Sequence, residues 1–415
     1  MTNCLSVPAG YAHDISVLQG PRLLSAIQGG PGLAAHRQIW REPQRLTSRQ
    51  LLALVEHSGI RGRGGAGFPF GRKVATAVAS GRRRELVVNA AEGEPGSAKD
   101  SALITTAPHL VLDGAELVAG ALGTRTIRVV VPGERPHVES ALNRAIAERE
   151  GFRYQVHLTS GGFVGGQARA AIELIEGREN LPVTSWRPES IAGLRGRPTL
   201  LSNAETYAQV ATLHQLGPQA YAQQGTDDEP GTTLLSVAAD GPGGVVIEVP
   251  HGVTLAEVLQ RCGYEPARPV LVGGYHGSWV PPEHVLTVRL TRTDLDAVGA
   301  CLGAGVLLPL DGNGCPVVLT ARIVEYLAGQ SARRCGPCKN GLPAMADAAL
   351  LLAAGAGARA GARLLEVAGL VQGRGACAHP DGTARLVRSL FRAFPGEVAS
   401  HEQGRCAVSA GVLAQ

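Results

Sequence analysis

The sequence predicts an α/β domain, then a small β-grasp module, then a helical bundle. Three observations carry this reading. Between residues 85 and 176 short apolar strands alternate with amphipathic helices, the pattern of a parallel sheet covered by helices. Over 231–310 two strands, a helix and further strands crowd together as in a β-grasp module. From Val317 the pattern turns helical, to about residue 400. The expected divisions are an arm over 1–45, the α/β domain over 46–225, the β-grasp module over 231–310 and the bundle over 317–400.

Composition narrows the function classes. Charge of both signs is spread along the 415 residues and nets +4, so there is no nucleic-acid footprint. No run of about 18 apolar residues exists to span a membrane. The start, MTNCLSVPAGYAHD, lacks the basic and apolar regions of a signal peptide. Eight cysteines, two of them as Cys335-x-x-Cys338, suit a reducing cytoplasm and a metal cluster rather than a disulfide scaffold. Only three of 39 basic residues are lysines. Lys73, Lys99 and Lys339 each fall in a motif singled out on other grounds, and a compact ammonium does not interchange with a guanidinium in a tight site.

In chain order, residues 1–45 show no clear period and read as an irregular arm with short helices. Thr47-x-x-Gln50 is a capping box opening a helix with Leu51, Leu52, Leu54 and Val55 on its apolar stripe. Then comes Gly59–Lys73, GIRGRGGAGFPFGRK, with five glycines up to Gly67. Gly62-x-Gly64-x-x-Gly67 fits the dinucleotide fingerprint string but follows a helix, not a strand. It reads as a phosphate cradle between two helices or as a tight structural turn. In the first case the backbone N–H groups of Gly62, Gly64, Gly65, Ala66 and Gly67 form an anion nest, with Lys73 as a cation. A second helix over 71–80 would point its N-terminus at the anion.

Glu85–Asn89 is a short buried strand. It runs into 90–100, AAEGEPGSAKD, at the strand end where α/β sheets bind ligands. Glu92 and Glu94 there could bind hydroxyl or amide groups, or the stretch is an ordinary solvated loop. Helix 109–122, strand 126–131, helix 136–149 and strand 153–158 alternate next. The glycines at 161–166, ending in Gly166, open helix 167–176. After a Pro- and Arg-rich stretch, Ser202 or Asn203 caps another helix. Beyond a linker near 223–231, strands 232–239 and 245–249 flank a hairpin turn at Asp240–Gly243. Thr254-x-x-Glu257 caps a short helix before a strand at 269–272. In the bundle, Cys335-x-x-Cys338 alone fits zinc or redox exchange as well as a cluster. Cys4, Cys262, Cys301 and Cys315 read as ordinary free thiols.

Four stretches together resemble one family: 58–73 (SGIRGRGGAGFPFGRK), 89–100 (NAAEGEPGSAKD), 196–206 (GRPTLLSNAET) and 330–341 (QSARRCGPCKNG). The family is the NADH-binding flavoprotein subunit of respiratory complex I, with relatives in NAD-linked hydrogenases and formate dehydrogenases. The resemblance extends from about residue 45 to 395 and implies an FMN domain, the β-grasp module and an iron–sulfur bundle. It implies FMN held by the glycine nest, Lys73, Asn89, Glu92, Gly166 and Asn203. NADH would stack on it, with Phe68 walling the nicotinamide and Glu94 contacting its amide or ribose. The cluster would be held by Cys335, Cys338 and Cys377. Departures are marked: Ala91 and Gln167-Ala168 replace acids, Ser202 replaces an asparagine, and Ala332 replaces the first cluster cysteine. Three thiolates imply a 3Fe–4S form, or a 4Fe–4S form with a fourth ligand from Cys406, His379 or Asp381. Trp186 is the candidate to stack on adenine.

The resemblance implies an NADH dehydrogenase-like subunit passing electrons from NADH through FMN and the cluster to a ferredoxin-like or other iron–sulfur subunit, or to a membrane-bound redox partner. It would be cytoplasmic, reaching a membrane only through partners. Two alternatives stay open: a flavin-binding relay that has lost NADH oxidation, and a cofactor-free scaffold.

Overall fold

The strongest local signals become the elements that frame the glycine loop. In the computed structural model, which describes residues 4–7, 15–81, 83–185, 187–238, 244–310, 312, 314–357 and 359–406, the chain forms two compact units. One comprises Met1–Val237 with Pro242–Val253, the other Ala238–Gly241 with Thr254–Gln415.

The first unit begins with β1 (Cys4–Val7) and β2 (Ile15–Leu18), followed by α1 (Leu33–Ile39). The arm expected to be irregular is thus partly an antiparallel hairpin. Next comes α2 (Ser48–His57), opened by the Thr47/Gln50 capping box with both reciprocal hydrogen bonds made. After the glycine loop comes α3 (Phe70–Ala79). Then follow β3 (Glu85–Asn89), α4 (Lys99–Thr106), α5 (Pro108–Leu122), β4 (Thr126–Val131), α6 (Pro136–Ala147) and β5 (Arg153–Leu158). The remainder is α7 (Ala168–Ile175), α8 (Glu189–Ala192), β6 (Thr199–Asn203), α9 (Ala204–Tyr221), β7 (Thr232–Val237) and β8 (Gly244–Pro250).

Strands β5-β4-β3-β6 form an all-parallel sheet in that order. Parallel sheets are covered on both faces, and β3 accordingly carries Leu86, Val87 and Val88, none of them exposed. Each such side chain contributes about 1.5–3 kcal/mol of burial. Helix α9 crosses α5 so closely that a Cβ on Gly114 would lie 1.8 Å from the Tyr207 carbonyl oxygen. The Tyr207 hydroxyl lies 3.0 Å from the Val87 carbonyl oxygen and 3.1 Å from that of Leu200, tying α9 to β3 and β6.

A second group in this unit runs β1-β2-β8-β7. The expected boundary near 225–231 therefore falls short: β7 and β8 belong with the first unit. The reason is polar. Buried Glu248 on β8 accepts from the Thr232 hydroxyl and from the N–H groups of Arg22 and Leu24. The Leu234 N–H donates to Glu205, and the Ala98 N–H to Ser236. The turn expected at Asp240–Gly243 lies outside the described residues.

The second unit holds α10 (Leu255–Arg261), opened by the expected Thr254/Glu257 capping box, then β9 (Val270–Val272) and β10 (Ser278–Trp279). These are followed by α11 (Arg292–Ala297), β11 (Val306–Pro309), α12 (Pro316–Gly329), α13 (Leu342–Ala353), α14 (Arg359–Val371), α15 (His379–Ala393) and α16 (Pro395–Glu402). β9 pairs antiparallel with β10 and β11. The bundle packs α13 on α12 and α14, and α15 on α12 and α14. Buried Trp279 joins β10 to it, its indole N–H donating to Thr320. No single helix among the described residues is long and apolar enough to cross a membrane.

Candidate functional site

The parallel sheet reverses at its centre. From β3 the chain goes to β4 and β5 on one side, then returns to β6 on the other. The crevice outside the carboxyl ends of β3 and β6 is a topological switch point, where open α/β sheets bind ligands. Asn89 and Asn203 end those two strands side by side in register.

The glycine loop reaches this point from α2. Its base is a narrow hairpin: the Gly62 N–H donates to Phe68 O at 2.9 Å and the Phe70 N–H to Ile60 O at 3.0 Å. The Arg61 guanidinium donates to Gly67 O, and the Arg63 N–H to the Thr206 hydroxyl at the start of α9. Gly65 (φ 96°) and Gly67 (φ 56°) take the left-handed backbone that glycine permits. A Cβ on Gly64 would lie 3.4 Å from Asn203 Cβ. Gly62, expected in the nest, is not part of it, because its N–H is spent on Phe68 O; among the described residues the N–H groups of Gly64, Gly65, Ala66 and Gly67 have no hydrogen-bond partner. Such a run of unpartnered N–H groups is an anion nest. Lys73 on α3 donates to Leu201 O at 3.1 Å, which leaves two of its three N–H donors for an anion. Burial pulls its pKa below the ordinary lysine value, against the opposing field of Glu189.

The third wall comes from residues 161–166. Asn89 Nδ2 donates to Gly166 O at 2.8 Å. A Cβ on Gly166 would lie 3.4 Å from Gly93 N and 3.5 Å from Ala91 Cβ. Gly62, Gly64, Lys73, Asn89, Gly166 and Asn203 are therefore gathered around one crevice. Phe68 stands at the end of the loop, 45% exposed, while Glu94 is buried. Trp186 lies outside the described residues.

Glu92 needs correction as a side-chain ligand. Its carboxylate accepts from the N–H groups of Asp100 and Ser101, from the Ser97 and Ser101 hydroxyls, and from Arg135 at 2.8 Å. Burial pushes its pKa up, and Arg135, the Ser101 hydroxyl and the two N–H donors bring it below the ordinary carboxylate value. Glu92 thus caps the N-terminus of α4 from a left-handed backbone (φ 41°) and fixes the shape of the loop. Any contact it makes to a ligand is through its main chain.

Beneath the crevice is an ion network that the motifs did not reveal. Lys99 Nζ lies 2.7 Å from Glu205, 3.1 Å from Asn203 Oδ1 and 3.4 Å from Asp100. The other Glu205 oxygen accepts from Leu234 N–H and lies 3.6 Å from Arg63 Nε. Burial raises Asp100 to about 6, Lys99 opposing. The network orients Asn203, the α9 cap, whose Nδ2 donates to Asn89 O and Asp100. The scarcity of lysine pointed to Lys99; nothing local pointed to Arg135.

In the second unit the cysteine motif sits where the backbone makes a π-helical turn, Pro337–Gly341, at the head of α13. Such turns cluster at functional sites. Arg333 before it has φ 52°. The N–H groups of Ala376 and Cys338 donate to the Cys335 sulfur. Burial raises that thiol, but these donors bring it below the ordinary value. Cys338 is pushed up to about 12 by burial and by Cys335, with Cys377 also close enough to raise it. Cys335 and Cys338 are adjacent, and Cys377 lies within electrostatic reach of Cys338; thiolates are the soft donors an iron–sulfur cluster takes. His379 does not join them: its Nε2 donates to Leu327 O at 2.8 Å and its Nδ1 lies 3.0 Å from His276 Nε2. Asp381 accepts from Gly373 N–H. Cys406 lies instead in a group with Cys315, Glu397 and His401.

Comparison with known proteins agrees with this division. Residues 55–212 match the Nuo51 FMN-binding domain family, and 318–401 match the NADH-ubiquinone oxidoreductase-F iron–sulfur binding region. The second F-type subunit of the NADH-quinone oxidoreductase of Rhizobium meliloti (strain 1021) is 32% identical, over 95% of this chain and 98% of that protein. The chain belongs to the family of NADH-quinone oxidoreductase F-type subunits. The corresponding protein of Mycobacterium tuberculosis (strain H37Rv) is 31% identical over 85% of each chain. A chain of an NAD+-reducing NiFe-hydrogenase, crystallised in the H2-reduced state, superposes with a TM-score of 0.81 at 27% identity, covering 92% of this chain and 67% of that one. In this member of the family, Ala91 is buried among Val87, Val130, Ala171, Ile172, Leu194 and Leu201.

Proposed function

We infer that this protein takes electrons from NADH by way of FMN and passes them to an iron–sulfur centre and then to a protein acceptor. The reading rests above all on the unpartnered N–H groups of Gly64–Gly67 beside Lys73 at the sheet's switch point. FMN, when bound, supplies the hydride-accepting and electron-transferring chemistry, so no side chain must act as acid or base. The chain's residues bind and orient. The loop N–H groups and Lys73 would hold the phosphate, Asn89 and Gly166 would meet the ribityl and ring, and Asn203, whose amide is taken up by Asn89 O, Asp100, Lys99 and the Glu205 N–H, would position Asn89 beside them. Phe68 walls the nicotinamide and Glu94 reaches its amide or ribose. Glu92 acts through the loop it holds.

The three cysteines Cys335, Cys338 and Cys377 would hold the iron–sulfur group. With Ala332 in the first position, three thiolates favour a 3Fe–4S centre, or a 4Fe–4S centre with a non-cysteine fourth ligand such as Asp381. The β-grasp module expected over 231–310 would have to draw β7 and β8 from the first unit and its remaining strands from the second. The partner is an iron–sulfur electron-transfer subunit, with contact to a membrane only through such partners. The relatives are themselves subunits by name, which supports a multi-subunit assembly.

Acid release of flavin from protein purified in FMN-containing buffer tests the binding half of this reading. About one FMN per chain is expected. A chain that carries none after reconstitution, while folded, would return the protein to the scaffold alternative.

A further inference from the structure

Four metal-ligating side chains converge in the second unit, away from the cysteine motif in sequence. Cys315 is the residue before α12, Glu397 and His401 lie one turn apart on α16, and Cys406 follows that helix. One ligand atom from each falls within 4.8 Å of all the others. Cys315 Sγ is 3.2 Å from His401 Nε2 and 3.7 Å from Glu397 Oε1. Cys406 Sγ is 3.8 Å from the same carboxylate oxygen, and His401 Nε2 is 3.7 Å from it. On a tetrahedral zinc ion, Zn–S bonds of about 2.3 Å and Zn–N or Zn–O bonds of about 2.0–2.1 Å set ligand atoms about 3.3–3.8 Å apart. The observed spacings bracket that range.

We propose that Cys315, Glu397, His401 and Cys406 form a structural site for a zinc-class divalent cation.

The surroundings fit a metal ligand set in three respects. His401 is buried, and its Nδ1 lies 3.1 Å from Ala353 O. That contact fixes the proton on Nδ1 and leaves the Nε2 lone pair facing the cluster, the usual outer-shell arrangement of a metal-bound histidine. The Val317 and Val318 N–H groups at the start of α12 donate to the Cys315 sulfur, against the burial that pushes its thiol up to about 12. Glu397 and Cys406 are only half-buried and give an ion a path in, while Cys315 and His401 close the site from within. Two thiols, an imidazole and a carboxylate match zinc in softness and leave no open position, which suits structure rather than catalysis. The ion would fasten the start of α12 to α16 and to the segment after it. In the unfolded chain Cys315 lies at least 82 residues from the other three ligands, so metal affinity becomes folding stability.

The test uses the full chain purified under reducing conditions. Metal analysis and cobalt(II) titration are run on the wild type, on Cys406→Ser, on His401→Gln and on Cys335→Ser/Cys338→Ser/Cys377→Ser. About one zinc per chain is expected in the wild type and in the triple variant. Cobalt substitution should give thiolate-to-cobalt charge-transfer absorption in both, and both signals should disappear in Cys406→Ser and His401→Gln. A chelator should lower the Tm of the wild type and leave that of Cys406→Ser unmoved. Zinc lost in the triple variant but kept in Cys406→Ser would put the metal on the Cys335 motif and overturn the proposal. So would a wild type that takes up no cation, or one in which Cys315 and Cys406 form a disulfide under the same conditions.

Discussion

Gly65→Val abolishes FMN retention while leaving the second unit folded. Gly65 has φ 96°, a conformation that a β-branched residue reaches only with strain. Relieving that strain turns the neighbouring N–H groups away from their common focus, and the nest is lost as a unit. Flavin per chain after gel filtration is the readout, expected to fall from about one to near zero. The second unit is followed by proteolytic resistance, which should be unchanged. A variant that keeps wild-type flavin would remove the phosphate role from this loop.

Glu205→Ala is the second large effect, on stability rather than on binding alone. Glu205 is fully buried and is the partner of Lys99, 2.7 Å away, with Arg63 also close. Its carboxylate also accepts from the Leu234 N–H within β7. Removing it takes the nearest carboxylate partner from buried Lys99, which keeps Asn203 and Asp100, and leaves the buried Leu234 N–H unpaired, a loss of about 3–5 kcal/mol. Urea unfolding of the first-unit transition measures this, and a loss below about 1 kcal/mol would contradict the role given to the network. The pH sign is fixed by Lys99, whose folded pKa is raised: burial lowers it, but Asp100, Glu205 and Glu92 outweigh burial. A raised lysine contributes stability below its ordinary value of 10.5 and loses it only as pH climbs through the higher folded value. Asp100, raised from 3.8 to about 6, gives the network a lower edge: stability falls as pH climbs through that interval, and above it the network holds until Lys99 titrates.

Much of the frame was readable without coordinates because its signals are local. The capping boxes at Thr47 and Thr254 and the span of β3 come from side chains that act within one turn or one strand. Strand β6 was hidden because Thr199–Asn203 is short and uniformly buried, so it has no alternation, and it follows a Pro- and Arg-rich run. Helix α4 was hidden because its start, Lys99-Asp100-Ser101, is polar yet buried; its cap is Glu92, which precedes it across a loop. Glycines and Lys73 announced the crevice, since few structural demands need that many glycines. The inward turn of Glu92 was not readable, because Arg135 meets it from the far side of α5 and β4. Nor was the grouping of Cys315 with Cys406, which depends on how α12 packs against α16.

The central claim is that NADH delivers electrons to a flavin in this chain with no acid at Ala91, Gln167 or Ala168. An anaerobic NADH titration of the FMN- and iron–sulfur-reconstituted protein, followed by absorbance and then by EPR on frozen samples, tests it most directly. The account predicts loss of oxidised-flavin absorbance together with a change in the cluster's EPR signal. Flavin that stays bound and oxidised through excess NADH would contradict it and leave a relay between protein partners.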